Sequence, residues 1–163
     1  MVSRRPARTV GAMPSHTSIP ATPRAHGDDV ADRRLHTPVR EFMRPGVIVV
    51  AEDASLGQAE RAMVRHGVHA ILLLGRTSGQ PVGWVTTRGI LQWLSRDLGL
   101  VPARQGVTES PVYIEPSATA EEAVAALSQP GVSHLLVARA PGETPQGVVA
   151  DIDVIGLCTT TPR

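Results

Sequence analysis

The sequence predicts an α+β fold made of two copies of one unit, strand–helix–strand–strand–helix, whose small mixed sheets pack together about a pseudo-twofold axis. Three observations predict it. Displacing the 163-residue chain by 64 positions lays residues 47–90 on 111–154 without a gap, with nine identities in 44 positions. Identity is modest, but the apolar pattern agrees throughout, as an internal repeat requires. Each copy also alternates short apolar or β-branched runs with helical stretches. Finally, a unit of roughly 50–60 ordered residues buries only ~60% of its unfolded surface, so each copy needs the other.

The elements follow in chain order. Thr37-Pro38 predicts a short helix with proline in its first turn, Phe42 and Met43 facing inward and Pro45 ending it. Val47–Val50 and Val112–Ile114 are the first strands. Ser55-x-x-Gln58 and Thr119-x-x-Glu122 are aligned capping boxes, whose side chains satisfy the free amides of a helix start. Leu56, Ala59, Ala62 and Met63 form the buried face of one helix, and Ala123, Ala126 and Leu127 that of the other. Gly67 and Gly131 are read as left-handed ends of those helices. Ala70–Leu74 and His134–Ala138 are runs suited to buried strands. Val82–Thr86 and Gln146–Ala150 make the third strands, and Thr87–Leu98 and Asp151–Cys158 the closing helices.

Residues 1–36 read differently. They hold six Arg, three Asp and four Pro without apolar periodicity, and too little apolar surface to offset ordering. The predicted organisation is a disordered leader at 1–36, a first repeat at 37–100 and a second at 101–163. The leader has no apolar stretch of a secretory signal, and nothing approaches the ~20 apolar residues of a membrane span. A cytoplasmic location is expected.

Composition removes several function classes. All sixteen basic residues are Arg, so Schiff-base chemistry and a Gly-Lys-Ser/Thr phosphate loop are excluded. The absence of Lys and Asn reads as the codon bias of a GC-rich bacterial genome. One cysteine excludes an internal disulfide and a Cys-rich zinc site. A net charge of +1 and 2% aromatic residues argue against a nucleic-acid surface. No metal-ligand cluster or catalytic triad order stands out, so no enzyme is predicted and no metal site is assigned.

Residues 38–160 resemble a tandem pair of cystathionine-β-synthase (CBS) domains, a Bateman module. The resemblance rests on Phe42-Met43-Arg44-Pro45, Ala54-Ser55-Leu56, Pro116-Ser117-Ala118-Thr119, the Gly-Val pairs, and Gly83-x-Val-Thr with Gly147-x-Val-Ala. It implies two adenosyl-nucleotide clefts between the repeats, frequent assembly into a disc-shaped homodimer, and regulation of a partner protein. It also implies a regulatory ligand of the AMP, ADP, ATP or S-adenosylmethionine type and no permanent cofactor.

The ligand motif that the resemblance implies, Gly-x-Val-Ser/Thr-x-x-Asp, is split here. The first copy keeps the hydroxyl at Thr86 and has Gly89 in place of the acid. The second keeps the acid at Asp153 and has Ala150 in place of the hydroxyl. Asp153 is the ribose hook in this reading, with Val112, Val132 and Tyr113 around the adenine. Thr86, Arg88, His69 and His134 are the phosphate contacts. Each has a structural alternative: Asp153 as a helix-start acid, Thr86 as a cap, Arg88 as a solvated residue, and the two histidines as strand-edge groups. Trp84 and Trp93 are assigned to the core or a dimer face. Two functions remain open, a sensor of an adenosyl ligand and a structural or partner-binding module with decayed clefts.

Overall fold

The computed structural model describes residues 33–159. The expected leader falls outside the described residues up to residue 32. Among the described residues eight strands form two four-stranded mixed sheets, in the orders β2-β3-β4-β5 and β1-β8-β7-β6. The first contains β2 (Val49–Ala51), β3 (Ala70–Leu74), β4 (Pro81–Thr86) and β5 (Val107–Glu109). The second contains β1 (Arg44–Pro45), β6 (Val112–Ile114), β7 (His134–Val137) and β8 (Gly147–Ala150). The helices are α1 (Leu56–His66), α2 (Thr87–Leu91), α3 (Ala120–Leu127) and α4 (Asp151–Thr159).

Both capping boxes form. Ser55 and Thr119 accept from the amides three residues on, and Gln58 and Glu122 reach back to the cap amides. Gly67 ends α1 with φ 63°, a left-handed conformation that costs glycine nothing and other residues dearly. Gly131 also has positive φ, but α3 already stops at Leu127 and the chain turns through Pro130. Gly131 therefore shapes the turn into β7 instead of ending the helix.

Three other expectations need correction. The first strand is Val49–Ala51, shifted from Val47–Val50. The short leading helix is a single 3-10 turn, Val39–Glu41, without a side-chain cap. The closing helix of the first repeat stops at Leu91 instead of Leu98. The last has a physical cause. The carbonyls of Leu98 and Val101 accept from the Gly57 and Leu56 amides, at 2.9 and 2.8 Å, and so complete the start of α1. Turns after Leu91 in place of further helix bring these carbonyls to the start of α1.

The repeats also exchange their leading segments. β1 precedes the first repeat yet pairs with β8, and β5 precedes the second repeat yet pairs with β4. The turns before them dock in the same crossed way. Val39 N donates to Ala118 O, and Ala103 N donates to Ala54 O, both at 2.7 Å. Both residue pairs keep the 64-residue offset of the sequence repeat. Each edge strand thus shields the neighbouring sheet, and Phe42 and Met43 pack into the core of the second repeat.

Each repeat has its own core. Leu56, Ala59, Met63, Ile71, Leu73 and Val85 anchor one; Val39, Ala123, Leu135, Val137 and Val149 anchor the other. A third cluster of Ala70, Leu72, Trp84 and Leu136 lies between the sheets, flanked by Tyr113 and Val148. Alternation along β3 explains this, since Ile71 and Leu73 face the helices and Ala70 and Leu72 face the other sheet.

Candidate functional site: a cleft between the repeats

A cleft of about 1350 Å³ runs between the repeats, above the ~300–1,000 Å³ usual for small-molecule sites. Residues of both repeats line it: the ends of β4 and β8, the turns after α1 and α3, and the exchanged strands β1 and β5. Six of the residues singled out from sequence meet there: His69, Thr86, Arg88, Val132, His134 and Asp153. Val112 and Tyr113 are not among its lining residues. Val112 packs on the second core, and Tyr113 packs on the cluster between the sheets.

Asp153 stands in the first turn of α4. Its Oδ2 accepts from the Ala150 amide at 2.9 Å, the acid half of a capping box. Its Oδ1 accepts from Arg44 Nε at 2.7 Å. The carboxylate is nearly buried, with its side chain 9% exposed, whereas Arg44 is 56% exposed. The helix-cap role and a place in the cleft wall therefore coexist in one residue.

The equivalent place in the first repeat is filled differently. Gly89 lies against the turn Ala103–Gly106, and a Cβ on it would come within 2.0 Å of the Gly106 carbonyl oxygen. The missing acid is thus a consequence of packing, since no side chain fits there. Thr86 Oγ1 accepts from the Gly89 amide at 3.3 Å and shares a 2.8 Å hydrogen bond with Thr108 Oγ1. It is both a helix cap and a strand-to-strand tie. Arg88 is exposed and makes no hydrogen bond or ion pair among the described residues. His69 is exposed beside it.

His134 belongs to a network that joins the repeats. Glu109, on exchanged strand β5, accepts from Ser133 N at 3.0 Å and from Ser133 Oγ at 2.5 Å. Ser133 Oγ lies 2.8 Å from His134 Nδ1, which is 3.6 Å from Glu109 Oε2. Burial pushes the Glu109 carboxyl up, but the hydrogen bonds from His134 and Ser133 and the imidazole charge outweigh it, and the group sits below its ordinary value. An ionised carboxylate only accepts, so the serine proton points to Glu109 and the serine lone pair takes Nδ1–H. The serine is therefore not aligned on the imidazole as a nucleophile on its base. Trp84 lies against this network, its ring 5.1 Å from that of His134 and tilted to it, and its buried Nε1 has no acceptor among the described residues. Trp93 donates to Gln105 O at 3.2 Å and packs on the first core.

Arg44 and Glu109 were not assigned a role from sequence. They occupy matching places, one opposite Val148 on β8 and the other opposite Trp84 on β4, and 148 and 84 differ by the repeat offset. Extending that offset backwards supplies the missed signal. It lays Pro38 and Arg40 on Pro102 and Arg104, marking the exchanged segments as part of the repeat. Among the described residues no cluster of His, Cys, Asp and Glu is placed to hold a metal ion, and no helix is long and apolar enough to cross a membrane.

The CBS domain family model matches residues 39–96 and 105–159, most of the chain. The chain belongs to the CBS domain family. The two matches correspond to the two repeats, so it is a tandem CBS pair. No curated protein matches the chain. Among solved structures it is similar to a CBS domain protein from Pyrobaculum aerophilum complexed with AMP, at 21% identity and TM-score 0.64, covering 76% of this chain and 100% of that one. It is also similar to the CBS domain of a bacterial CNNM/CorC family Mg2+ transporter in complex with ATP, at 20% identity and TM-score 0.68 over 81% of this chain and 94% of that one. A third is the CBS domain of a CBS domain containing membrane protein from Sphaerobacter thermophilus, at 18% identity and TM-score 0.67, covering 82% and 94%. Of these three structures, one holds AMP and another holds ATP.

Proposed function

We propose that this tandem CBS pair is a cytoplasmic regulatory module that binds an adenosyl ligand in the cleft between its repeats and controls a partner protein, without catalysis of its own. The observation that carries the reading is the near-buried Asp153 carboxylate in the wall of that cleft. A carboxylate can accept from both ribose hydroxyls, a directional contact specific for the sugar. Arg44 holds it now, but that guanidinium is half in solvent, so only one surface side chain must swing aside. The bound AMP and ATP of the structurally similar proteins favour the same ligand class.

Thermal shift with adenosine, AMP, ATP and S-adenosylmethionine tests it. A ligand of the native state at ~100 times its Kd raises stability by about 2.7 kcal/mol. Asp153→Ala should weaken that ligand by roughly ten- to a hundredfold, the loss of one charge-assisted bond. No shift with any of them at millimolar concentration refutes the sensor reading. It favours instead a scaffold with decayed clefts, which two observations support: Gly89 leaves no room for an acid, and both oxygens of Asp153 already have partners.

The proposed assembly is a homodimer through the helices. Leu91 on α2 and Ile155 on α4 stand at matching repeat positions and are 64% and 54% exposed. Beside Leu91 an apolar groove of about 360 Å³ is lined by Met63, Val64 and Ile90. Pseudo-equivalent apolar positions on both repeats give a self-complementary face, as a twofold interface needs.

A further inference from the structure

The charges of the cleft narrow the ligand. Two guanidiniums, Arg44 and Arg88, face three carboxylates, Glu109, Asp151 and Asp153. Arg44 is paired with Asp153, and when ribose displaces it the cleft still sets two guanidiniums against three carboxylates. Two of those carboxylates, Glu109 and Asp151, have no guanidinium partner among the described residues. Glu109 is the more confined of these, because Ser133 fixes both its oxygens in a half-buried place beside His134. It stands at the entry to β7, next to the His134 imidazole in the cleft wall. Asp151 accepts from the Ile152 amide at 2.7 Å, in the first turn of its own helix. An ATP-like tail would bring several negative charges into a cleft that is net acidic when its histidines are neutral. A nucleoside, or one carrying a sulfonium or ammonium group, would meet no such repulsion.

We propose that the cleft selects adenosyl ligands of zero or positive charge over polyphosphates, and that Glu109 is the residue that sets this preference. The proposal rests on the adenosyl-binding reading above. Glu109 stays ionised at neutral pH because its hydrogen bonds favour the charged form. Two like charges a few ångströms apart near a protein surface repel enough to change affinity by on the order of tenfold.

Isothermal titration of the full chain with adenosine, S-adenosylmethionine and ATP, with and without magnesium, tests it. Adenosine and S-adenosylmethionine should bind on the order of tenfold or more tightly than ATP. Glu109→Gln, which keeps the shape and removes the charge, should close most of that gap by improving ATP. Should that variant fold poorly, the wild type supplies a second measurement. Raising salt from about 50 to about 500 mM should narrow the gap, since screening weakens the repulsion. ATP binding as tightly as adenosine overturns the proposal and leaves the adenosyl reading standing. A preference unchanged in Glu109→Gln and insensitive to salt removes Glu109 from it. Binding of none of the three overturns the adenosyl reading itself.

Discussion

Gly89 offers a sharp test of the packing between the exchanged turn and the first repeat. Its Cα faces the Gly106 carbonyl so closely that an added Cβ would lie 2.0 Å from the oxygen and 3.1 Å from Thr108 Cγ2. The oxygen belongs to backbone, and Gly106 is itself hemmed in, since a Cβ there would meet Leu56 Cδ2 at 2.5 Å. No flexible group can yield, so the turn Ala103–Gly106 must move away from α2 and against Leu56 of α1, straining its bond to Ala54. Overpacking of this kind costs ~1–3 kcal/mol, while alanine in a helix returns up to ~1 kcal/mol. Because no flexible group yields, the upper end of that cost applies, and Gly89→Ala should lose about 2 kcal/mol, or roughly 4–8 °C in Tm. Gly156, in α4, is the control: nothing lies within 4 Å of its added Cβ, and Gly156→Ala should gain up to ~1 kcal/mol. Differential scanning calorimetry reads both. Gly89→Ala melting with the wild type refutes the packing argument. The same argument says that Gly89→Asp will not restore a second ribose hook; a gain in adenosyl affinity there would contradict it.

Two further predictions concern charge and assembly. The Glu109 carboxyl is depressed in the folded chain, so its contribution to stability is complete above its unfolded value of about 4.5 and is lost as pH falls through the lower folded value. Urea unfolding at pH values from about 6 to about 3 should then show a steeper loss for wild type than for Glu109→Gln; parallel curves would count against the network. Leu91→Glu with Ile155→Glu should convert a dimer to a monomer in sedimentation velocity while leaving the far-ultraviolet spectrum unchanged. A wild type that is already monomeric at high micromolar concentration removes the helix-face dimer.

The local elements were legible because their signals are local. Capping boxes at Ser55 and Thr119 need only about four consecutive residues, and both form as read. The runs Ala70–Leu74 and Val112–Ile114 are strands at those bounds. The family was legible for a related reason, as the repeat carries the same pattern twice. The site was legible in part. His69, Thr86, Arg88, Val132, His134 and Asp153 share one cleft because each ends or begins an element at the same edge of its sheet. Val112 and Tyr113 fell to the core clusters, because strand alternation and the pairing partner together decide which face a residue shows.

The sequence by itself determined the repeat, the order of its helices and strands, and which side chains seek burial, since these follow from spacing along the chain. The tertiary structure alone decided the exchange of β1 and β5, whose two- and three-residue lengths leave no periodic signal. With that exchange came the partners of the cleft: Arg44 on Asp153 across 109 positions, and Glu109 on Ser133 across 24. It also explains Gly89, which the chain reads as a lost acid and the fold reads as the one residue that lets a neighbouring backbone pass. Contacts of this kind depend on which distant segments meet, and the meeting is fixed only when both cores close at once.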